Sequence, residues 1–230
     1  MKLSIIIPVF NEEKTIGKIL KCVVNAPLLN WEKEIIVIND GSTDNTEVVI
    51  EELRKSLSEI IYIKHLQNHG KGAAIKTALH YISGDFVIIQ DADLEYDPND
   101  YQKLVSLIEK GYNVVYGSRN LDKKTKRGYF FYFLGGKIIT TFCNLLFHSR
   151  LTDINTGYKL FQSEIIKSLN LESNGFEFCE EVTAKILKRK IPIKEVAINY
   201  YPRTFKEGKK IRFKDGIRAI LTLLKFKFIK

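Results

Sequence analysis

The sequence predicts an α/β fold in which helices cover a mostly parallel sheet. Three observations predict it. Apolar, β-rich runs alternate with segments of helical period, each run is followed by an acidic or glycine-containing turn, and 230 residues that are 45% hydrophobic suffice to bury one core.

The elements can be justified in order. LSIIIPVF is a strand, apolar on both faces as a buried parallel strand must be. NEEKTIGKILKCVV reads as a helix with Asn11 at its N-cap, where a short polar side chain accepts from the free N–H groups of the first turn. EIIVIND is a second strand of buried type. A helix follows STDN over about 45 to 57, IIYIKHL is a short strand, and the next helix runs from about 71 to 82. DFVIIQD is a strand, a helix covers about 98 to 110, and NVVYGSR closes the alternation. No internal repeat or low-complexity segment breaks it.

Two further segments stand apart. Residues 129 to 147, YFFYFLGGKIITTFCNLLF, approach the length of a membrane span, but Lys137 and the Gly135-Gly136 pair interrupt them. A helix lying in the membrane interface or packed on the domain is therefore expected over a span. The final GIRAILTLLKFKFIK is basic and amphipathic, with Ile217, Ile220, Leu221 and Leu224 expected inward, suited either to an anionic lipid surface or to packing on the domain. The expected organisation is a main domain over 1 to 210 and a basic amphipathic tail over 211 to 230.

The formal net charge of +9 belongs to that tail. From Lys185 onward there are 15 Lys and Arg against 3 Asp and Glu, a net of +12, which leaves −3 for the first 184 residues. Such a tail suits either an anionic partner or a solvated face. No nucleic-acid partner is expected, because the aromatic residues among these charges form no stacking platform. Cys22, Cys143 and Cys179 are odd in number and lack C-x-x-C spacing, so neither a disulfide framework nor a zinc site is indicated and a reducing cytosol fits best. Met1-Lys2 leads straight into a strand, and no signal peptide is expected.

In open α/β sheets ligands gather outside the carboxyl ends of the strands. Those ends read PVFNE, NDGSTDN, NHGKG, QDADLE and GSRN. Asp91-Ala92-Asp93 places two carboxylates one residue apart, and Glu95 adds a third at the same spacing, so all three share a side if the backbone stays extended. Clustered carboxylates repel unless a hard cation such as Mg²⁺ or Mn²⁺ neutralises them, and such a metal would also bridge a diphosphate; the bland alternative is an acidic turn before Pro98. Asp40 can accept from the N–H edge of a base, and Lys71 suits a diphosphate.

Together and in this order, PVFNEE, INDGSTDNT, HGKGAAI, DADLE, YGSRN and TDINTGYKLF resemble the family 2 glycosyltransferases, within them the branch of dolichol-phosphate mannose synthases and bacterial polyprenyl-phosphate glycosyltransferases. The resemblance covers about residues 3 to 215 and implies a GT-A (Rossmann-like) domain that binds a nucleotide-diphosphate sugar. It implies that Pro8, Phe10 and Glu12 cup base and ribose, with Phe10 where Tyr is common, and that Asp40 reads the base. Lys71 would lie near the diphosphate. Asp91, Ala92 and Asp93 would hold ribose and metal, with Glu95 completing the metal shell where relatives often have Gln. Arg119 matches the arginine that binds the acceptor phosphate, while KKTKRGYFF replaces an arginine-rich run and leaves Arg127 the only counterpart there. Asp153 is either a base for a hydroxyl acceptor or an organiser of its loop. Glu177 and Glu181 match a GFEF-x-x-E segment, Arg203, Lys209 and Lys210 match a basic loop able to close over phosphates, and His69 is a polar residue of the diphosphate loop.

The only tryptophan is Trp31, so the Q-x-x-R-W motif of processive polysaccharide synthases is absent. The expectation is a metal-dependent inverting transfer from a nucleotide-diphosphate sugar to a polyprenyl phosphate, at the cytoplasmic face of a membrane. A hydroxyl acceptor, with Asp153 or Glu181 as base, is the alternative. A non-catalytic nucleotide-sugar or membrane-binding module is a third, against which the intact acidic cluster argues.

Overall fold

The computed structural model describes residues 1–57, 60–122, 130–204 and 213–229. Seven strands, β1 (Lys2–Val9), β2 (Glu32–Asn39), β3 (Ile60–Lys64), β4 (Phe86–Ile89), β5 (Val114–Ser118), β6 (Lys159–Gln162) and β7 (Lys194–Ala197), form one sheet in the order β3-β2-β1-β4-β6-β5-β7. All pairs are parallel except those of β6, which runs antiparallel to both β4 and β5. The expected mostly parallel sheet is present, extended by two strands, β6 and β7, whose four residues each carry little pattern of their own.

The helices are α1 (Ile16–Asn25), α2 (Thr46–Arg54), α3 (Lys71–Ala78), α4 (Tyr101–Ile108), α5 (Phe130–Phe147), α6 (Ser163–Ser168), α7 (Phe178–Lys188) and α8 (Phe213–Phe228). On one face of the sheet Ile16, Ile19, Leu20 and Val23 of α1 join Tyr101, Leu104 and Val105 of α4 against Leu3, Ile5 and Ile7 of β1. On the other, Ala74, Ile75 and Ala78 of α3 and Phe178, Val182 and Ile186 of α7 cover Ile6, Ile36 and Ile38. Strands buried on both faces explain why their sequences read as unbroken apolar runs.

Asn11 is not an N-cap. It adopts a left-handed backbone (φ 51°) and its Oδ1 accepts from Thr43 N–H at 2.8 Å, while α1 begins five residues later behind Thr15. Asparagine tolerates this conformation better than other non-glycine residues, so it serves a turn that stitches the first strand end to the second.

Of residues 129 to 147, Phe130–Phe147 form a helix, α5, and Tyr129 lies outside the described residues. Ile139 and Cys143 of α5 pack with Ala184 of α7 and with Ala219, Leu223 and Phe226 of α8 in a third apolar cluster. The face of α8 that packs on the domain is Ala219, Leu223 and Phe226 with Ile220 half-buried beside them; of the other residues expected to turn inward, Ile217 and Leu221 are exposed and Leu224 is half-buried. Among the described residues no helix is long and apolar enough to cross a membrane.

The antiparallel β6 has a positional consequence. Its first residue, Lys159, pairs with Tyr116 near the end of β5, and Gly117 N–H donates to Tyr158 O at 2.8 Å. The preceding TDINTGY loop is thereby delivered to the carboxyl edge of the sheet, between the ends of β4 and β5. At the opposite edge Trp31 precedes β2, is 7% exposed, donates from Nε1 to Glu109 at 3.0 Å and packs on Phe86 with ring centroids 5.5 Å apart.

Candidate active site

The carboxyl edge gathers charge from every strand end that the sequence pointed to. The buried carboxylate of Asp40, just past β2, accepts from the backbone N–H groups of His69 (3.0 Å) and Gly70 (2.7 Å), and its Oδ1 lies 2.6 Å from His65 Nδ1. Asp40 is therefore an anchor of the NHGKG loop rather than the free base acceptor that was expected. Gly70 needs its φ of 98°, and a Cβ there would fall 2.5 Å from Asn174 O. The loop so fixed ends in Lys71, the first residue of α3, whose ammonium donates to Asp91 Oδ1. Burial works against that charge, but the negative groups around it, Asp91 first and by both charge and hydrogen bond, together hold the Lys71 ammonium above its ordinary value.

Asp91, Asp93 and Glu95 do not share one side. Leu94 takes a left-handed backbone (φ 63°), so the chain turns after Asp93. Glu95 is sent toward the later YYPR segment, where it accepts from Tyr200 O–H at 2.8 Å and from Arg203 N–H at 2.7 Å. Asp93 Oδ1 accepts from Glu95 N–H at 3.1 Å, and its Oδ2 lies 3.3 Å from Arg203 Nη2. The Arg203 guanidinium also forks onto Glu12 at 3.0 and 3.1 Å. Pro8 in β1 and Phe10 just past it are half-buried, and Ala92 is buried in the core.

This arrangement corrects the metal shell. Among the described residues no group of three His, Cys, Asp or Glu side chains converges on an ion, because the turn at Leu94 gives Glu95 to Tyr200 and Arg203. Asp91 and Asp93 nonetheless fit a hard divalent cation, which typically takes one or two carboxylates together with substrate phosphates. Burial, with the charges of Asp91 and Glu95 beside it, pushes Asp93 up to about 7. The site thus holds more negative charge than Lys71 and Arg203 neutralise.

On the other side Arg119, just past β5, grips Asp153 from the TDINTGY loop. Arg119 Nε and Nη2 donate to the two carboxylate oxygens at 2.7 and 2.8 Å, and its backbone N–H donates at 3.1 Å. Its guanidinium lies 5.0 Å from the centroid of the Tyr200 ring. Burial alone would raise the Asp153 carboxyl, but the Arg119 charge and hydrogen bonds hold it below the usual carboxylate range. Asp153 is an ionised clamp and a poor base. Glu181 is fully buried, accepts from Glu172 and Ser173 N–H at 2.7 Å each and pairs with Lys185, so it anchors the loop against which Gly70 packs. Glu177 closes its own turn by accepting from Gly175 N–H. Arg127, Lys209 and Lys210 lie outside the described residues.

Several supporting residues escaped the sequence reading. Gln90 is fully buried beneath the site, accepting from Tyr101 and Tyr158 hydroxyls at 2.6 Å each and donating to Asp91 O at 2.9 Å. Tyr96 stacks on Tyr158 at 4.8 Å and accepts from Gly157 N–H, and Glu195 of β7 accepts from the backbone N–H groups of Thr152 and Asp153. Gln90 sits inside the quoted QDADLE and Tyr200 beside Arg203, so their places were visible, though their partners were not.

Gly157 joins the two halves of the site. A Cβ there would fall 2.4 Å from Asp91 Oδ2 and 2.9 Å from the Tyr96 ring. Gly157→Ala is accordingly expected to cost about 1–3 kcal/mol of stability by overpacking and to displace Asp91, with turnover falling further than the melting temperature implies. A thermal melt paired with single-turnover kinetics checks this; unchanged turnover would detach Asp91 from the reaction.

A helix-covered sheet presenting carboxylates and cations at its carboxyl edge is built to hold a charged ligand there. The chain belongs to glycosyl transferase family 2, whose family model matches residues 4–169. It is similar to a dolichyl-phosphate beta-glucosyltransferase of Trichomonas vaginalis, 29% identical over 97% of this chain and 72% of that protein. It is also similar to undecaprenyl-phosphate 4-deoxy-4-formamido-L-arabinose transferases, at 34% identity for that of Photorhabdus laumondii (54% of this chain, 38% of that protein) and 38% for that of Yersinia enterocolitica (50% and 36%). The chain thus spans little more than a third of the arabinose transferases. Among solved structures, glucosyl-3-phosphoglycerate synthase from Mycobacterium tuberculosis in complex with Mn²⁺, uridine diphosphate and phosphoglyceric acid superposes with a TM-score of 0.76 at 22% identity, over all of this chain and 79% of that one. That likeness shares the GT-A fold.

Proposed function

We propose that the chain transfers a sugar from a nucleotide-diphosphate sugar to a polyprenyl phosphate. The observation that supports this most is the Arg119–Asp153 pair. An acceptor phosphate is already an anion near neutral pH and needs a cation to seat it rather than a base to deprotonate it. The pair offers the first: one edge of the guanidinium, Nε and Nη2, is fixed by Asp153, and Nη1 has no partner among the described residues. The carboxylates at Asp153 and Glu181, which a hydroxyl acceptor would need as bases, are committed to Arg119 and to Lys185. The names of the curated relatives, which act on dolichyl and undecaprenyl phosphates, point the same way.

In this reading Pro8, Phe10 and Glu12 flank the nucleoside, Asp40 sets the loop that presents Lys71 to the diphosphate, and Arg203 faces the phosphates. Glu95 positions Arg203. Mg²⁺ or Mn²⁺ held by Asp91 and Asp93 would offset the charge that develops on the departing nucleoside diphosphate. The acceptor oxygen attacks the anomeric carbon in line, with inversion. The test is transfer from a panel of UDP- and GDP-sugars into polyprenyl phosphate in detergent with Mn²⁺. Labelled lipid is expected for one donor; donor hydrolysis without labelled lipid would overturn the acceptor.

A lipid acceptor calls for a membrane surface. Phe131, Leu134, Ile138 and Leu145 form an exposed stripe on α5, and α8 beside it exposes Ile217, Leu221 and Phe228 among Lys214, Arg218 and Lys225. The proposed placement is peripheral, with these helices on the anionic cytoplasmic leaflet. Leu145→Glu with Leu221→Glu is expected to release the protein from anionic vesicles in sedimentation while leaving nucleotide binding intact. Unaltered sedimentation would point away from these two helices.

A further inference from the structure

Beneath the loop that carries Asp153 lies a buried polar cluster with no direct part in the transfer. Lys159 is fully buried at the start of β6, and its ammonium donates to the carbonyls of Ile154 (2.7 Å) and Thr156 (2.6 Å) while lying 4.6 Å from the centroid of the Tyr116 ring. Between those two residues, Asn155 donates from Nδ2 to Glu180 in the first turn of α7, itself 2% exposed. Three consecutive loop residues are thus tied from below, immediately after the carboxylate that grips Arg119.

The tie at Asn155 is directional. Its Oδ1 is buried without a hydrogen-bond partner, a costly state for a polar atom. Turning the amide over would set that oxygen against the Glu180 carboxylate, so an ionised Glu180 dictates which way the amide points.

We propose that Glu180 is a positioning residue for the acceptor side of the site, acting through Asn155 to hold residues 153 to 157 where Asp153 grips Arg119. The proposal rests on the reading of Arg119 as the group that seats the acceptor phosphate. The surroundings support it. The titratable groups facing Glu180 are Lys159 of β6, Cys143 of α5, and Glu177 and Cys179 of its own segment. Burial pushes Glu180 up to about 7 despite Lys159 and the Asn155 hydrogen bond, and burial holds the Lys159 ammonium below its ordinary value. Once protonated, Glu180 gains an O–H that can donate to Asn155 Oδ1, the amide can turn over, and the loop loses its fixed register.

The experiment follows the Arg119 Nε–H resonance of the whole chain across neutral pH in the wild type, Glu180→Gln and Asn155→Ala. In the wild type the resonance is expected to move with a midpoint near the Glu180 value of about 7. Glu180→Gln, which keeps an acceptor for Asn155 but cannot titrate, is expected to abolish that movement, and so is Asn155→Ala. In transfer assays Glu180→Ala is expected to raise KM for polyprenyl phosphate about tenfold, the change one buried hydrogen bond to a charged group carries, and leave KM for the donor unchanged. Glu180→Gln, which like protonated Glu180 offers both a donor and an acceptor to Asn155, is expected to rescue the acceptor KM only in part and to hold it constant across neutral pH. A purely structural Glu180 would lower the melting temperature yet leave the Arg119 titration in the Gln variant and the acceptor KM as they were, which would overturn the proposal. Should the wild-type chain transfer nothing to polyprenyl phosphate, the proposed acceptor falls, while the Arg119 resonance still decides the role of Glu180.

Discussion

Asp93→Asn is expected to lower turnover on the order of 10²- to 10³-fold, the loss seen when one group stabilising developing charge is removed, while the metal-free protein becomes more stable. The two effects share a cause. Asp93 sits largely buried between Asp91 and Glu95, and its folded-state value, pushed up to about 7, lies above the roughly 3.9 of an unfolded aspartate. Ionising it in the fold therefore costs stability above neutral pH, and that cost fades as the pH falls toward the unfolded value. The neutral amide removes the penalty, so the gain in melting temperature is expected at pH 8 and is expected to shrink at pH 5. Melts at both values in chelator, alongside transfer assays with Mn²⁺, measure it. Near-normal turnover would sink the assignment of Asp93 to the metal.

Arg119→Ala is expected to abolish transfer to polyprenyl phosphate and to destabilise the protein by about 3–5 kcal/mol, because removing one partner of a buried pair strands the other. Asp153 is 2% exposed and would keep a charge with nothing opposite it. Its folded value is depressed by Arg119, so the pair contributes stability that is complete above the unfolded carboxyl value and lost in acid. The deficit of the variant should accordingly be largest near neutral pH and narrow below about pH 4. Combining Asp153→Asn with Arg119→Ala should recover part of the stability and none of the transfer. A variant that still loads lipid, or that loses donor-nucleotide binding instead, would move Arg119 out of the acceptor site.

The strand ends were legible because a parallel sheet buried on both faces writes itself as apolar runs, and the turns after them carry the only concentrated polar chemistry in the first half of the chain. That made Asp40, Lys71, Asp91 and Arg119 locatable by position. Their partners were less so. Spacing places Asp91, Asp93 and Glu95 on one side only while the backbone is extended, and nothing about a leucine signals the left-handed turn at Leu94; tertiary ties from Tyr200 and Arg203, more than a hundred residues away, impose it. Asn11 was misread for a related reason, since an asparagine before a helix suits a cap and a left-handed turn equally well. Nothing in the spacing singles out Lys159 or Glu180. The antiparallel β6, too short to announce itself, carries Lys159 beneath the loop it supports, and the first turn of α7 brings Glu180 there.

The single tryptophan gives the molecule an optical probe at the end of the sheet remote from its chemistry. Trp31 is sealed against Phe86 and tethered to Glu109 at the amino-terminal edge, whereas every group assigned to substrate stands at the carboxyl edge. Its emission therefore follows the loosening of the core as a whole and is insulated from occupancy of the nucleotide cleft, so melts read through it weigh variants of the site on a common scale with or without ligand.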